Sequence, residues 1–115
     1  MDYRQLDVWK RSMQLVKTVY PLAGQLPTVE RFALADQIRR ATISVASNIA
    51  EGCNRESGKE LFYFLSVAKG SVAEVETQLY ICIELGYFPE ADALDALALC
   101  DDIKGMLYRF MQKVR

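Results

Sequence analysis

Ser57–Cys82 reads SGKELFYFLSVAKGSVAEVETQLYIC, and its apolar spacing decides the fold. Leu61, Leu65, Ala68, Val72, Val75, Leu79 and Cys82 alternate steps of four and three without a break. That is a seam of three heptads, the pattern of left-handed antiparallel or coiled-coil packing. Gly52, Asn54 and Gly58 mark the turn ahead of it, and Ser57 with Glu60 three residues on is a capping box. Gly86 is a natural residue just past a helix end. The spacing therefore predicts one rod of about 28 residues, some ~42 Å long at 1.5 Å per residue.

Working outward, Leu34, Ile38, Ala41, Val45 and Ile49 form one stripe of a helix predicted over residues 34–52, and Ile43, Ala46 and Ala50 form a second across it. Apolar on two sides, this helix suits a central place. Upstream, Leu6, Trp9, Met13, Val16 and Tyr20 give the stripe of a first helix, with a kink or fraying expected at residues 17–21 because Pro21 lacks a backbone donor. Gly24, Pro27 and Thr28 form the connection. Downstream, Pro89 suits the first turn of a last helix whose inward stripe is Ala96, Cys100, Ile103, Leu107, Phe110 and Val114. Short connections between four helices predict an all-α, antiparallel up-down-up-down four-helix bundle, a single domain over residues 1–115.

One bundle core cannot receive every apolar residue of the long helix. Phe62, Tyr63 and Phe64 are consecutive and fan over about 200° of the wheel, and Tyr80, Ile81, Cys82 and Ile83 spread wider. Surplus of this kind predicts a homo-oligomer.

Composition removes most other functions. Hydrophobic residues are 51% and charged residues 25%, with 14 basic against 15 acidic groups and a net charge of −1, so a dedicated polyanion binder is not indicated. Histidine is absent, which excludes His-based metal sites and Ser-His or Cys-His nucleophile pairs. Glu51, Glu74, Glu76 and Glu84 do not make the Glu-x-x-His pairs of carboxylate-bridged di-metal bundles. The reading is no enzyme, no cofactor, no metal and no small-molecule substrate. Cys53, Cys82 and Cys100 lack CxxC spacing and read as buried reduced thiols. Early charges at Asp2, Arg4, Asp7 and Lys10 argue against a signal peptide, and no stretch approaches the ~18–20 apolar residues of a membrane span. A cytoplasmic location without a membrane partner is expected.

Pro27-x-x-Glu30, Gln37-Ile38-Arg39-Arg40-Ala41, Ser44 and Asn48-Ile49-Ala50-Glu51-Gly52, followed by Arg55-x-Ser57-x-x-Glu60, Phe64-Leu65 and Ala68-Lys69-Gly70-Ser71-x-x-Glu74, resemble the 23S rRNA intervening-sequence protein family. The chain departs at Ala35, where relatives tend to carry a helix-capping Thr or Ser. The resemblance implies a four-helix bundle assembled as a ring-shaped homopentamer, encoded in relatives within insertions in bacterial large-subunit ribosomal RNA genes, and implies no enzymatic activity. A related branch comprises the accessory variability-determinant proteins of diversity-generating retroelements, which bind nucleic acid and a reverse transcriptase. That branch is strongly basic, unlike this chain.

Charge is unevenly spread. Residues 1–59 hold nine basic and six acidic groups, residues 60–103 one basic and nine acidic, and residues 104–115 four basic and none acidic. The predicted topology gathers Arg4, Lys10, Arg11, Arg55, Lys59, Arg109, Lys113 and Arg115 at one end as candidate nucleic-acid or anion contacts, and Glu84, Glu90, Asp92 and Asp95 at the other. Solvated helix ends or complementary subunits explain the same pattern without a ligand. Gln37, Arg40, Ser44, Asn48, Glu51, Gly52, Ser71 and Glu74, the remaining motif positions, read as structural. The hairpin about residue 55 sets positions adding to roughly 111–114 face to face, placing Arg40 against Ser71 and Glu74, while Asn48 and Glu51 are expected to satisfy turn backbone groups. Two functions fit: an oligomeric scaffold or adaptor associated with RNA or an RNA-binding partner, or a retroelement-type accessory factor acting with a reverse transcriptase.

Overall fold

The computed structural model describes residues 2–114. Its four long helices are α1 (Asp7–Gly24), α2 (Leu34–Cys53), α3 (Gly58–Glu84) and α4 (Glu90–Val114), with 3-10 turns at Tyr3–Gln5 and Thr28–Glu30. Each helix packs on its two neighbours around a square, and the backbones of the diagonal pairs, α1 with α3 and α2 with α4, stand farther apart across the shared core. This is the antiparallel four-helix bundle, 43 × 24 × 20 Å, its long axis matching the α3 rod. No described helix is long and apolar enough to cross a membrane.

The α3 seam is buried throughout, from Leu61 to Cys82. Ser57 Oγ accepts from the Glu60 backbone N–H at 3.1 Å. At the other end Gly86 takes φ 77°, and the Tyr87 and Gly86 N–H groups donate to Cys82 and Ile83 carbonyls, a Schellman ending that glycine accommodates without a Cβ penalty. Pro89 lies one residue ahead of α4.

The helix α1 does not stop at Pro21, and one expectation about it, the core face, needs correction. It continues through Pro21 to Gly24: Pro21 and Lys17 are both exposed, so the carbonyl left without a donor faces water, while buried Leu22 and Ala23 hold the last turn. Its core face is Val8, Ser12, Leu15, Val19 and Leu22, not the Leu6–Tyr20 stripe, of which Met13 is 40% and Tyr20 38% exposed. Ser12 interrupts the apolar period, yet it is buried because its hydroxyl donates to the Val8 carbonyl at 2.8 Å. Along α4 the core line ends on Met111, with Phe110 and Val114 only half-buried.

Candidate nucleic-acid interface

The topology brings the start of α1, the α2–α3 turn and the end of α4 together. Gly58 abuts the Val114 carbonyl so closely that a Cβ on it would lie 2.8 Å from that oxygen. Of the eight candidate contacts at this end, three are engaged inside the chain. Arg4 pairs with Asp2 at 3.1 Å, and its side-chain and backbone hydrogen bonds hold the Asp2 carboxyl below its ordinary value while raising Arg4. Arg11 bridges to Asp102 on α4 at 2.8 Å. Arg55 pairs with Glu51, lies 4.0 Å from Glu60, and stacks over the Phe64 ring at 4.8 Å. Lys10, Lys59, Arg109 and Lys113 are exposed and have no ion-pair partner among the described residues. Arg115 lies outside the described residues.

The opposite end carries exposed Glu84, Glu90, Asp92 and Asp95 and is tied by the Tyr87 hydroxyl donating to Glu30 at 2.7 Å, a bond that raises the Tyr87 pKa. The negative field is less concentrated than the run of acids suggests. Asp102 neutralises Arg11, and Glu60 sits beside Arg55 at the basic end.

At the basic end α4 overruns α1. The Tyr3–Gln5 turn packs on α1 and α2, not on α4, so the last turns of α4 are left half covered. The result is an open cleft of about 370 Å³ lined by Leu6, Asp7, Val8, Met106, Arg109, Phe110 and Lys113. Gly105 gives Arg109 room to lie back along the helix: a Cβ there would be 3.4 Å from the guanidinium.

The motif residues on α2 and α3 form a polar seam. Ser44 Oγ lies 2.8 Å from Ser71 Oγ, and Asn48 Nδ2 donates to the Ser44 carbonyl and hydroxyl at 2.8 and 2.9 Å. The expected Arg40 contact to Ser71 or Glu74 is absent: Arg40 pairs with Asp36 one turn back at 3.1 Å. Ser44, not Arg40, stands opposite Ser71, so the hairpin register is shifted from the expected one, and a partner at i−4 on the same helix captures the guanidinium. Asn48 likewise serves the seam; it is Asn54 whose amide reaches a helix-end carbonyl, Ala50, at 3.2 Å. Glu51 holds Arg55. Gly52 sits where a Cβ would be 2.9 Å from Phe64 Cβ and 3.0 Å from Leu61 Cδ1, so α2 and α3 close on each other there. Gln37, Arg40, Ser44, Glu74 and Gln78 surround a polar notch, in which Gln78 Oε1 is buried without a hydrogen-bond partner.

Lys104 and Glu76, which no candidate set contained, bridge α4 to α3 at 3.0 Å. The hairpin register does not find them: about the Gly86 turn it would set Glu76 against residues near Cys100, one turn short of Lys104. Among the described residues no group of three or more His, Cys, Asp or Glu side chains could hold a metal. The cysteines are free; burial pushes the Cys82 thiol to about 11 and Cys100 to about 12, and raises half-buried Cys53.

One apolar groove and one mixed helix face, on which exposed Glu74 and Thr77 lie between Tyr63 and Ile81, remain on the outside. Trp9, Met13 and Val16 of α1 meet Ile43, Ala46 and Ala50 of α2 along a groove of about 290 Å³. On α3, Tyr63 and Ile81 are 61% and 40% exposed and share one helical face with Gly70, at seven- and eighteen-residue spacings. A family model described as 23S rRNA-intervening sequence protein matches residues 4–109 of the chain. No curated protein matches it.

Proposed function

The chain belongs to the 23S rRNA-intervening sequence protein family, and from that premise we propose that it is a non-enzymatic oligomeric scaffold whose basic end associates with RNA. One observation carries the RNA contact: Lys10, Lys59, Arg109 and Lys113 converge on one end of the bundle and form no ion pair among the described residues. Cations left unpaired attract phosphate and release its counterions. Assembly into a ring repeats the end once per subunit, which makes up for a net charge of only −1 per chain.

Two unlike surfaces, the apolar α1–α2 groove and the mixed Tyr63–Ile81 face of α3, support the ring. A closed ring needs a heterologous interface, in which one patch meets a different patch on the next subunit. The α1–α2 groove and the Tyr63–Ile81 face of α3 are two such patches, and a homopentamer is the assembly proposed.

Fluorescence anisotropy with labelled RNA, titrated from ~50 to ~200 mM salt, tests the contact. Binding should be weak, largely independent of sequence and steeply lost with salt. Arg109→Ala with Lys113→Ala should flatten that slope, while neutralising Glu90 and Asp92 should not. Absence of binding at the lowest salt overturns the RNA reading. Sedimentation equilibrium tests the assembly: a monomer at micromolar concentration refutes it, and a dimer refutes the ring.

A further inference from the structure

We propose that the cleft between the start of α1 and the last turns of α4 receives an unstacked nucleobase, so that the basic end selects single-stranded over double-stranded RNA. The inference rests on the RNA reading above and adds to it a mode of recognition. The cleft floor is apolar: Leu6, buried Val8, and half-buried Met106 and Phe110. Its rim carries the unpaired cations Arg109 and Lys113, with Lys10 one helical turn on from Asp7. An apolar floor with phosphate-seeking cations at its edge matches a nucleotide, whose flat base and charged backbone are joined at that scale. Bases of single strands are free to leave the stack and lie against an aromatic ring, whereas bases in a duplex are not.

The third wall selects among anionic ligands. Asp7 stands on the rim, exposed, and its carboxylate has no hydrogen bond or ion pair among the described residues. A carboxylate there opposes a simple fatty-acid head, but accepts a hydrogen bond from the exocyclic amino group of adenine, cytosine or guanine. The cleft volume of about 370 Å³ is ample for one base. Its origin is architectural: α4 runs past the start of α1, and the 3-10 turn that would cover it lies over α2.

The test compares a short single-stranded RNA with the duplex formed from it, at ~50 mM salt where backbone contacts are strong. The wild type should favour the single strand. Phe110→Leu keeps the position apolar but removes the ring; it should weaken single-strand binding by about fivefold or more, the lower end of what one base–aromatic stack contributes, and duplex binding much less. Phe110→Met, which also removes the ring while keeping an apolar side chain, should do the same and covers the case in which Phe110→Leu fails to fold by circular dichroism. Equal affinity for both RNAs, or equal loss for both in the variants, overturns the cleft proposal and leaves the basic-end contact standing. No binding of either RNA to the wild type overturns the basic-end reading and the cleft with it.

Discussion

Ser44 and Ser71 share a hydrogen bond between hydroxyls 2.8 Å apart, partly buried at the α2–α3 seam and extended by the Asn48 amide. Ser71 is 4% exposed and packs among wholly buried neighbours, Ala68, Val72 and Val75. A polar pair in that position fixes which residue of α2 faces which of α3, because sliding either helix would strand a hydroxyl.

Removing one hydroxyl should therefore cost more than removing both. Ser71→Ala alone should destabilise by about 0.5–1.5 kcal/mol, with Ser44 left to the Asn48 amide, and the double alanine variant should recover part of that loss. Urea unfolding of the four members of the cycle measures the coupling. Strict additivity would mean the two hydroxyls are satisfied independently of each other.

A second cross-helix bond titrates. The Glu76 hydrogen bond, helped by the Glu76 and Asp101 charges and opposed by burial, raises the Lys104 pKa above 10.5. A raised folded-state value makes the contribution complete below the ordinary lysine pKa and removes it as pH climbs through the folded one. Lys104 is about one-third exposed, so the pair contributes only about 0–1 kcal/mol. Lys104→Met should be less stable than the wild type at neutral pH by that margin, and the gap should close above pH 10.5. Thermal melts of both proteins across this range decide it; a gap that persists unchanged would assign the loss to packing of the lysine stem.

The thiols should report burial in order. At pH ~8 a thiol held at about 12, as Cys100 is, is ionised in roughly one molecule in ten thousand, and only the thiolate reacts. Cys53 is half-buried and should react first with an aromatic disulfide reagent. Cys82 and Cys100 should react only at the rate of unfolding, measured by repeating the reaction in rising urea. Fast release of all three in native buffer would contradict the packing of α3 against α4.

Strict periodicity made some elements legible and side-chain chemistry hid others. The α3 seam could be read residue by residue because nothing polar interrupts it. The α1 core face could not: Ser12 breaks the pattern and is buried while bonding its own backbone, whereas the more regular Leu6–Tyr20 stripe sits at the edge of the core, with Leu6 and Trp9 partly covered and Met13 and Tyr20 exposed. The basic end was legible as a place, since topology alone brings the termini and the α2–α3 turn together. Its effective charge was not, because Arg11 and Asp102 are 91 positions apart and only the folded bundle reveals that they cancel. The Arg40 contact failed for a related reason, a nearer acid at Asp36 capturing the guanidinium.

Two glycines of the motif should respond to alanine in opposite ways, and the contrast bears on assembly. At Gly52 a methyl group would sit 2.9 Å from Phe64 Cβ, an atom fixed to the α3 backbone, and 3.0 Å from Leu61 Cδ1. Gly52→Ala must push the hairpin apart and should cost about 1–3 kcal/mol. At Gly70 a methyl meets nothing within 4 Å, although glycine in mid-helix costs about 1 kcal/mol relative to alanine. Nothing within the chain requires that cost, and Gly70 shares its face with exposed Tyr63 and Ile81. If that face packs against the next subunit, Gly70→Ala should stabilise the isolated bundle in urea at low protein concentration yet shift sedimentation equilibrium toward monomer. Stabilisation with the oligomer intact would place the subunit contact elsewhere on the bundle.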